Sequence, residues 1–191
     1  MSTDGISTID LTDNEYTVEQ SLIRNKYKAT DRTGQTVIRG KQKMLKMKEE
    51  FPFVDPQGKE VFTVKAAGVI DIAGNYAIID SATGEEVAIL DNDYSILQDT
   101  WKIRDAQTEA VLAKIESRGA AVTVARNMIP FLGPLIPHKY EITDADGDHV
   151  GNIDGQFSFR DRYEISIDDS SSVPKETVIA AAMVIDALQG N

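Results

Sequence analysis

The stretch that decides the fold is Val178-Ile-Ala-Ala-Ala-Met-Val-Ile-Asp-Ala-Leu188, near the C-terminus. Every residue in it except Asp186 is apolar, so a helix formed here has no polar face and must be surrounded by protein. Pro174 suits the first turn of this helix, Glu176 suits its positive end and Gly190 suits its stop. Such a helix spans about 18 Å, too short for the roughly 30 Å core of a bilayer. The chain must therefore enclose it.

Upstream of this stretch a short unit recurs: an aromatic residue, Asp four positions later, then Gly, then Val. Asp accepts backbone hydrogen bonds in a turn and Gly supplies a positive φ angle, so each unit is typical of a β-hairpin. The first four copies recur every 24 or 25 residues, and Glu109 stands near the Gly position of the fourth. The copies are Tyr27, Asp31, Gly34, Val37; Phe51, Asp55, Gly58, Val61; Tyr76, Asp80, Gly84, Val87; Trp101, Asp105, Val111; and Tyr140, Asp144, Gly147, Val150.

The residues beside these turns alternate in polarity, as they do in strands with one buried face. In the fourth unit, Trp101 and Ile103 alternate with Lys102 and Arg104. Roughly a dozen short strands result. A closed antiparallel barrel of that size has no sheet edges and is wide enough to hold a helix. We predict this barrel, and the alternative is a β-sandwich whose turns recur by coincidence.

With these residues in view, the chain resembles the LURP-one-related family, which is similar to the tubby C-terminal domain and the phospholipid scramblases. The resemblance rests on the order of the hairpin units, the strand Tyr163 to Asp168 and the helix Val178 to Asp186, and it covers about residues 21–189. It implies a mainly β fold, a closed twelve-stranded antiparallel barrel of hairpins around a central hydrophobic helix at 174–189. It also implies binding of membrane lipids or phosphoinositides, or an adaptor role.

The chain lacks the sequence features that would identify a lipid anchor or a phosphoinositide-binding site by comparison with these families. The cysteines that carry lipid anchors in scramblases are missing, as is a proline-rich arm. No residue matches the phosphoinositide site of tubby position by position. The resemblance therefore assigns no individual binding residue.

Composition excludes most catalytic chemistry. The 191 residues include no Cys and only two His, His138 and His149, so disulfides, thiolate nucleophiles and Cys-based metal sites are ruled out. No nucleophile motif, Gly-rich phosphate loop or His-Glu-x-x-His helix is present. We predict a non-enzymatic protein without catalytic residues, metal or cofactor; the remaining enzyme class is a hydrolase with paired carboxylates at a barrel end. The net charge of -11 argues against a nucleic-acid partner.

The best functional lead is a basic segment. From Arg24 to Lys48 the chain carries a formal charge of +8, against −19 for all other residues. If Asp31 pairs with Thr36 in a hairpin, like charges lie directly opposite one another on one face, which is destabilising without a counter-ion. The predicted anion-binding residues are Arg24, Lys26, Lys28, Arg39, Lys41, Lys43, Lys46 and Lys48.

Two interpretations of this segment stay open. It binds an anionic partner, either phospholipid headgroups at a membrane surface or an acidic protein. Alternatively, the acidic body or the segment Asp4 to Glu19 neutralises it, and the protein is a structural or adaptor protein.

The N-terminal region differs in composition from the rest. Residues 1–20 hold five acids and no Lys or Arg, which predicts a mobile acidic arm with a strand near its end. Residues 21–191 are predicted to form one barrel domain. Neither a signal peptide nor a membrane-spanning run is recognisable, so we expect a cytoplasmic protein, peripheral to the membrane if it binds lipid.

Four smaller features have simpler interpretations. Asp144, Asp146 and Asp148 resemble the start of a calcium loop, but the twelfth position is Gly155 and a plain turn is favoured. Asp168 and Asp169 are expected in a solvated loop rather than a weak cation site. The proline-broken run 128–136 is expected to plug one barrel end, the alternative being an exposed contact for a partner or a membrane. Asp186 is expected to reach a backbone donor or solvent at the barrel mouth, the alternative being a buried functional acid.

The terminal helix is predicted to be the core of the fold. Deleting Pro174 to Asn191 should leave an insoluble or molten chain, because the inward side chains of the barrel lose their filling. Near-UV circular dichroism and dye binding would show this loss of fixed packing. A soluble truncation that melts cooperatively would contradict the prediction.

Overall fold

The computed structural model describes residues 5–20, 26–41, 50–66, 75–94, 99–118, 139–156 and 162–189. These ranges contain twelve β-strands followed by one α-helix, α1 (Lys175–Gln189). The strands are β1 (Glu15–Gln20), β2 (Lys26–Asp31), β3 (Thr36–Lys41), β4 (Phe51–Val54), β5 (Glu60–Ala66), β6 (Asn75–Asp80), β7 (Glu86–Tyr94), β8 (Asp99–Asp105), β9 (Val111–Ser117), β10 (Lys139–Asp144), β11 (His149–Gln156) and β12 (Arg162–Ile167).

The strands form one closed barrel. Each strand pairs antiparallel with the next along the chain, and β12 pairs with β1 to complete the ring. The closing pair joins Glu15 to Ser166 and Glu19 to Arg162. The predicted twelve-stranded antiparallel barrel is confirmed, and the β-sandwich alternative is wrong.

The recurring Asp–Gly units form the turns, as predicted. Asp31 Oδ1 accepts hydrogen bonds from the backbone N–H groups of Thr33 at 2.9 Å and Gln35 at 2.8 Å, which closes the turn. The other units repeat this use of Asp Oδ1, and their glycines have positive φ angles. In the fourth unit Glu109 takes the glycine's place with φ 59°, the only positive value at a described non-glycine residue.

All five of these turns lie at one rim of the barrel, which we call the turn rim. The turns follow β2, β4, β6, β8 and β10, and strands that alternate in direction bring every second connection to the same end. Helix α1 follows β12, so it also enters the barrel from the turn rim.

Helix α1 fills the barrel. Ten consecutive residues, 177–186, are buried, and the apolar ones form a single core with the inward side chains of the strands. The helix begins where Thr177 and Val178 donate backbone hydrogen bonds to the carbonyl of Pro174. Because a surface helix always leaves one stripe exposed, burial over almost three turns means that the wall surrounds it. The predicted central helix is therefore confirmed.

Residues 5–14 pack against the turn rim and the start of the helix. Ser7 donates two hydrogen bonds to Asp80 Oδ2, and Leu11 N–H donates to Glu176 Oε1 at 2.9 Å. Ile6 and Leu11 are buried in the core. The predicted boundary between arm and barrel fell at residue 20; in the structure β1 precedes that boundary and forms part of the barrel wall.

Met183 offers a test of the enclosed helix because its side chain is fully buried. Met183→Asp places a carboxylate in an apolar interior and should lower the free energy of unfolding by about 3 to 5 kcal/mol. Met183→Leu conserves volume and should cost less than about 1.5 kcal/mol. Urea unfolding of both variants measures the difference. Two variants of equal stability would show that the helix is not enclosed.

Candidate functional site

The basic face lies on the outer surface of β2 and β3. Tyr27, Ala29 and Ile38 are buried, so the alternate residues of these strands face outwards. Cross-strand pairing places Lys28 opposite Arg39 and Lys26 opposite Lys41. Two of the three opposed pairs expected from the sequence are therefore confirmed, and they follow one another along the hairpin; the third, Arg24 opposite Lys43, lies outside the described residues.

The hairpin turn differs in one detail from the prediction. Thr36 pairs with Thr30 rather than with Asp31, because the register shifts by one residue after Ala29. Asp31 instead closes the turn through its N–H, which donates to the carbonyl of Gln35 at 2.9 Å. Because the bulge lies between Ala29 and Thr30, it does not change the pairs farther from the turn, and Lys28 still lies opposite Arg39.

The structure covers half of the predicted anion-binding residues. Lys28 and Arg39 are described with their side chains, and Lys26 and Lys41 by their backbone positions. Arg39 is exposed and forms no ion pair with a described residue, whereas the Lys28 side chain is 46% exposed and is paired. The predicted residues Arg24, Lys43, Lys46 and Lys48 lie outside the described ranges.

Glu19 of β1 is the counter-ion of this face. Its carboxylate lies 3.0 Å from Lys28 Nζ on one side and 3.9 Å from an Arg162 guanidinium nitrogen on the other. Cross-strand pairing runs from Arg162 on β12 to Glu19, Lys28 and Arg39, so these residues form one continuous row, here called the basic row. The row contains three cations and one carboxylate.

A second row of opposite character lies beside the basic row. Asp154 of β11 and Glu164 of β12 are opposite one another, and both face outwards two residues nearer the turn rim than the basic row. Lys139 lies 3.7 Å from Asp154, and Arg162 lies 3.6 Å from Glu164. We call Asp154 and Glu164 the acidic pair.

The two rows border a groove of about 470 Å³ on the outer wall across β11, β12, β1 and β2. That volume suits a small ligand. Its charged lining residues are Lys28, Arg32, Arg162, Glu15, Glu19, Asp31, Asp154 and Glu164.

Neither Glu19 nor Arg162 was predicted as a site residue. The alternation of Tyr16 and Val18 could have indicated a strand with Glu19 facing outwards. Its position beside Lys28 depends on the pairing of β1 with β2, and that of Arg162 on the closure of β12 onto β1. Sequence periodicity does not encode these long-range pairings.

A further pair of lysines lies opposite each other on β8 and β9, Lys102 and Lys114. Asp91 of β7 lies opposite Lys102 on the other side. Each of the two faces has an acid beside one of its cations, but this pair is single, whereas the pairs on β2 and β3 come in succession.

The acidic residues of the turn rim serve the fold. Asp144 Oδ1 accepts from the N–H groups of Asp146 at 3.0 Å and Asp148 at 2.9 Å, as in the other turns, so the predicted turn is confirmed. Asp169 accepts a hydrogen bond from Asn14. Across the ranges that the structure describes, no three acidic or histidine side chains are grouped so that they could hold a metal ion.

His149 bridges β11 and the residue that follows β12. Its Nδ1 lies 2.7 Å from Asp168 Oδ2, and its Nε2 lies 3.3 Å from Asn152 Oδ1. The hydrogen bond to Asp168, and then that to Asn152, raise the pKa of His149 above its ordinary value. His138 and the run 128–136 lie outside the described residues.

Asp186 is 4% exposed, so it does not reach solvent at the barrel mouth, one of its two expected contacts. Together with Tyr140 and Tyr163 it lines a cavity of about 10 Å³ between the helix and the wall.

No described helix has both the length and the apolar character needed to span a membrane.

The family model of the LURP-one-related proteins matches residues 36–186. The chain belongs to the LURP-one-related family. The predicted family is thus confirmed. The matched residues of this LURP-one-related protein include Arg39, Lys41 and Arg162, whereas Glu19 and Lys28 precede them.

An X-ray structure of a protein from Arabidopsis thaliana resembles this LURP-one-related protein over 97% of the present chain and 99% of the other, with a TM-score of 0.59. The two sequences are 8% identical, so the likeness shows the shared fold alone. A search of curated proteins finds no match.

The contact between His149 and Asp168 should make the stability of the fold depend on pH, and the pKa of His149 can be measured directly. A raised pKa means that the folded state favours the protonated ring. The pair therefore stabilises the fold fully below pH 6.5, and this contribution is lost as the pH rises through the folded-state pKa. An NMR titration of the ring protons should show a midpoint above 6.5, and Asp168→Asn should lower it. Asp146→Asn, which neutralises an acid in the neighbouring turn, is the control; equal midpoints in both variants would contradict the assignment.

Proposed function

We propose that the protein is a non-enzymatic binding module that holds phospholipid headgroups of a membrane surface on the basic face of β2 and β3. The observation that carries the proposal is the succession of two opposed like-charge pairs, Lys26 with Lys41 and Lys28 with Arg39. Directly opposed cations repel one another, and the repulsion falls when an anion lies over them. A charged membrane supplies many anions in one plane.

The energetics suit weak, salt-sensitive binding. Each Lys or Arg near an anionic surface contributes about 1 kcal/mol, so the four basic residues described on this face contribute about 4 kcal/mol. The rest of the chain carries −19 outside the basic segment and opposes this attraction. At 1 M salt the Debye length is about 3 Å, so only direct contacts remain effective.

The second candidate is a structural or adaptor protein without lipid binding. The Lys28–Glu19 pair at 3.0 Å favours it, because an internal carboxylate already neutralises one of the four cations. Arg39 has no such partner among the described residues, which favours the lipid proposal.

The proposed function also implies a domain organisation and a location in the cell. We propose one domain, running from the barrel strands to α1, that acts in the cytoplasm and binds the membrane peripherally through its outer wall. Arg24, Lys43, Lys46 and Lys48 extend the proposed face along the sequence.

Co-sedimentation with vesicles of graded anionic content tests the lipid proposal. Binding should rise with the anionic fraction at low salt. Lys26→Glu with Lys41→Glu should weaken it about 30-fold or more, since two contributions of about 1 kcal/mol are lost and repulsion is added. The control is Lys102→Glu with Lys114→Glu, which changes the net charge equally at the opposed pair on β8 and β9.

Three results would count against this function. If both double variants lose binding equally, net charge rather than the basic face is responsible. If the Lys26 and Lys41 variant binds as tightly as wild type, the face is not the site. If wild type binds no vesicle at low salt, the adaptor function stands instead.

A further inference from the structure

We propose that the groove beside the basic row selects a ligand with an ammonium group next to its phosphate: the phosphate lies on the basic row and the ammonium lies on the acidic pair. The inference rests on the proposed anion binding and adds the chemical class of the ligand. Phospholipid headgroups and soluble aminoalkyl phosphates both carry this pair of charges.

The first support is the arrangement of charge along the strands. Arg162 and Glu164 both face outwards from β12, two residues apart. Strands rise about 3.3 Å per residue, so the basic row and the acidic pair are about 7 Å apart. Both border the same groove. A simple anion placed there would meet the carboxylates of Asp154 and Glu164, whereas a ligand with both charges meets an opposite charge in each row.

The second support is that these charges are poorly satisfied within the protein. Arg162 donates no hydrogen bond to any described residue, and its two ion pairs, at 3.9 Å to Glu19 and 3.6 Å to Glu164, are long. Asp154 and Glu164 accept no hydrogen bond in the same part of the chain, and the contact of Asp154 with Lys139 is 3.7 Å. Hydrogen bonds between charged groups are normally shorter than 3 Å. A ligand can therefore offer these side chains closer partners than they have now.

The third support is the position of Glu19. Its side chain is 19% exposed and it lies between Lys28 and Arg162, two of the three cations that line the groove. A carboxylate held by two cations marks the place where an anionic group is stabilised in this wall. The ligand phosphate would compete with Glu19 for Lys28 and Arg162, while the ammonium would meet Glu164 and Asp154, whose own ion pairs are long, at 3.6 Å and 3.7 Å.

Vesicles that differ in headgroup but not in net charge test the proposal. Phosphatidylserine and phosphatidylglycerol each carry one net negative charge, and only the former has an ammonium group. At the same mole fraction in a neutral galactolipid, which carries no ammonium group, and at low salt, the protein should bind phosphatidylserine vesicles up to about fivefold more tightly, the gain that one exposed ion pair supplies. Soluble O-phosphoethanolamine should displace the protein from vesicles at lower concentration than glycerol 3-phosphate.

Variants identify the groove as the source of selectivity. Asp154→Asn with Glu164→Gln should remove the preference while keeping or strengthening binding to phosphatidylglycerol, because the ammonium loses its partners and Arg162, no longer paired with Glu164, stays available to the phosphate. Glu60→Gln with Glu86→Gln changes the charge equally at exposed residues of β5 and β7 and should keep the preference. Thermal melting and circular dichroism verify that each variant is folded.

The outcomes separate this inference from the proposed function. Equal, basic-face-dependent binding of the two lipids would overturn the inference and leave the proposed function standing. A preference that survives Asp154→Asn with Glu164→Gln would also overturn it, since the groove would not be the origin. Absence of binding to either lipid would overturn both. If O-phosphoethanolamine binds the protein and vesicles do not, the ligand class is supported and its source is soluble.

Discussion

The enclosure of α1 is the constraint on which the rest of the structure depends. A helix with ten buried residues in succession cannot lie on a surface, so the remaining chain must form a closed wall around it. A barrel of about a dozen strands is wide enough for this, and a smaller one would be filled by its own side chains. Ala180, Ala181 and Ala182 keep the helix narrow, and all three are buried. The inward residues of every strand are therefore committed to one apolar core.

The outer face is free of that constraint, and there the register of the strands decides which charges meet. Neighbouring strands bring Arg162, Glu19, Lys28 and Arg39 into one row, although Glu19 and Arg162 are far apart in sequence. One strand, β1, thus supplies both a part of the wall and the counter-ion that separates two cations. In the proposed function, an external ligand would compete on this wall with an internal carboxylate for the same cations.

The fold could be predicted from the sequence much further than the site. Each hairpin turn is determined by residues a few positions apart, such as Asp31 and Gly34, and the apolar sequence around Met183 predicts that the helix is buried. These features are local in sequence. The opposition of Lys28 and Arg39 was predictable for the same reason, since one hairpin sets it. The contacts of Glu19 with Arg162, and of Ser7 with Asp80, come from elements distant in sequence. No local pattern carries that information, and the acidic N-terminal composition predicted an arm with a strand near its end but not that this strand, β1, belongs to the barrel wall.

The order in which the strands and α1 are synthesised affects how the barrel can fold. Strand β1 is made before the other strands, whereas its partner β12 and the helix that fills the barrel are made after them. Until then the nascent chain is an open sheet whose apolar inner side and two strand edges are unprotected, a state prone to aggregation. The barrel can close and fill only once β12 and α1 have been made, because β12 completes the ring and α1 supplies its centre. Burial of the apolar inner side of the sheet therefore depends on the last two elements of the fold to be made.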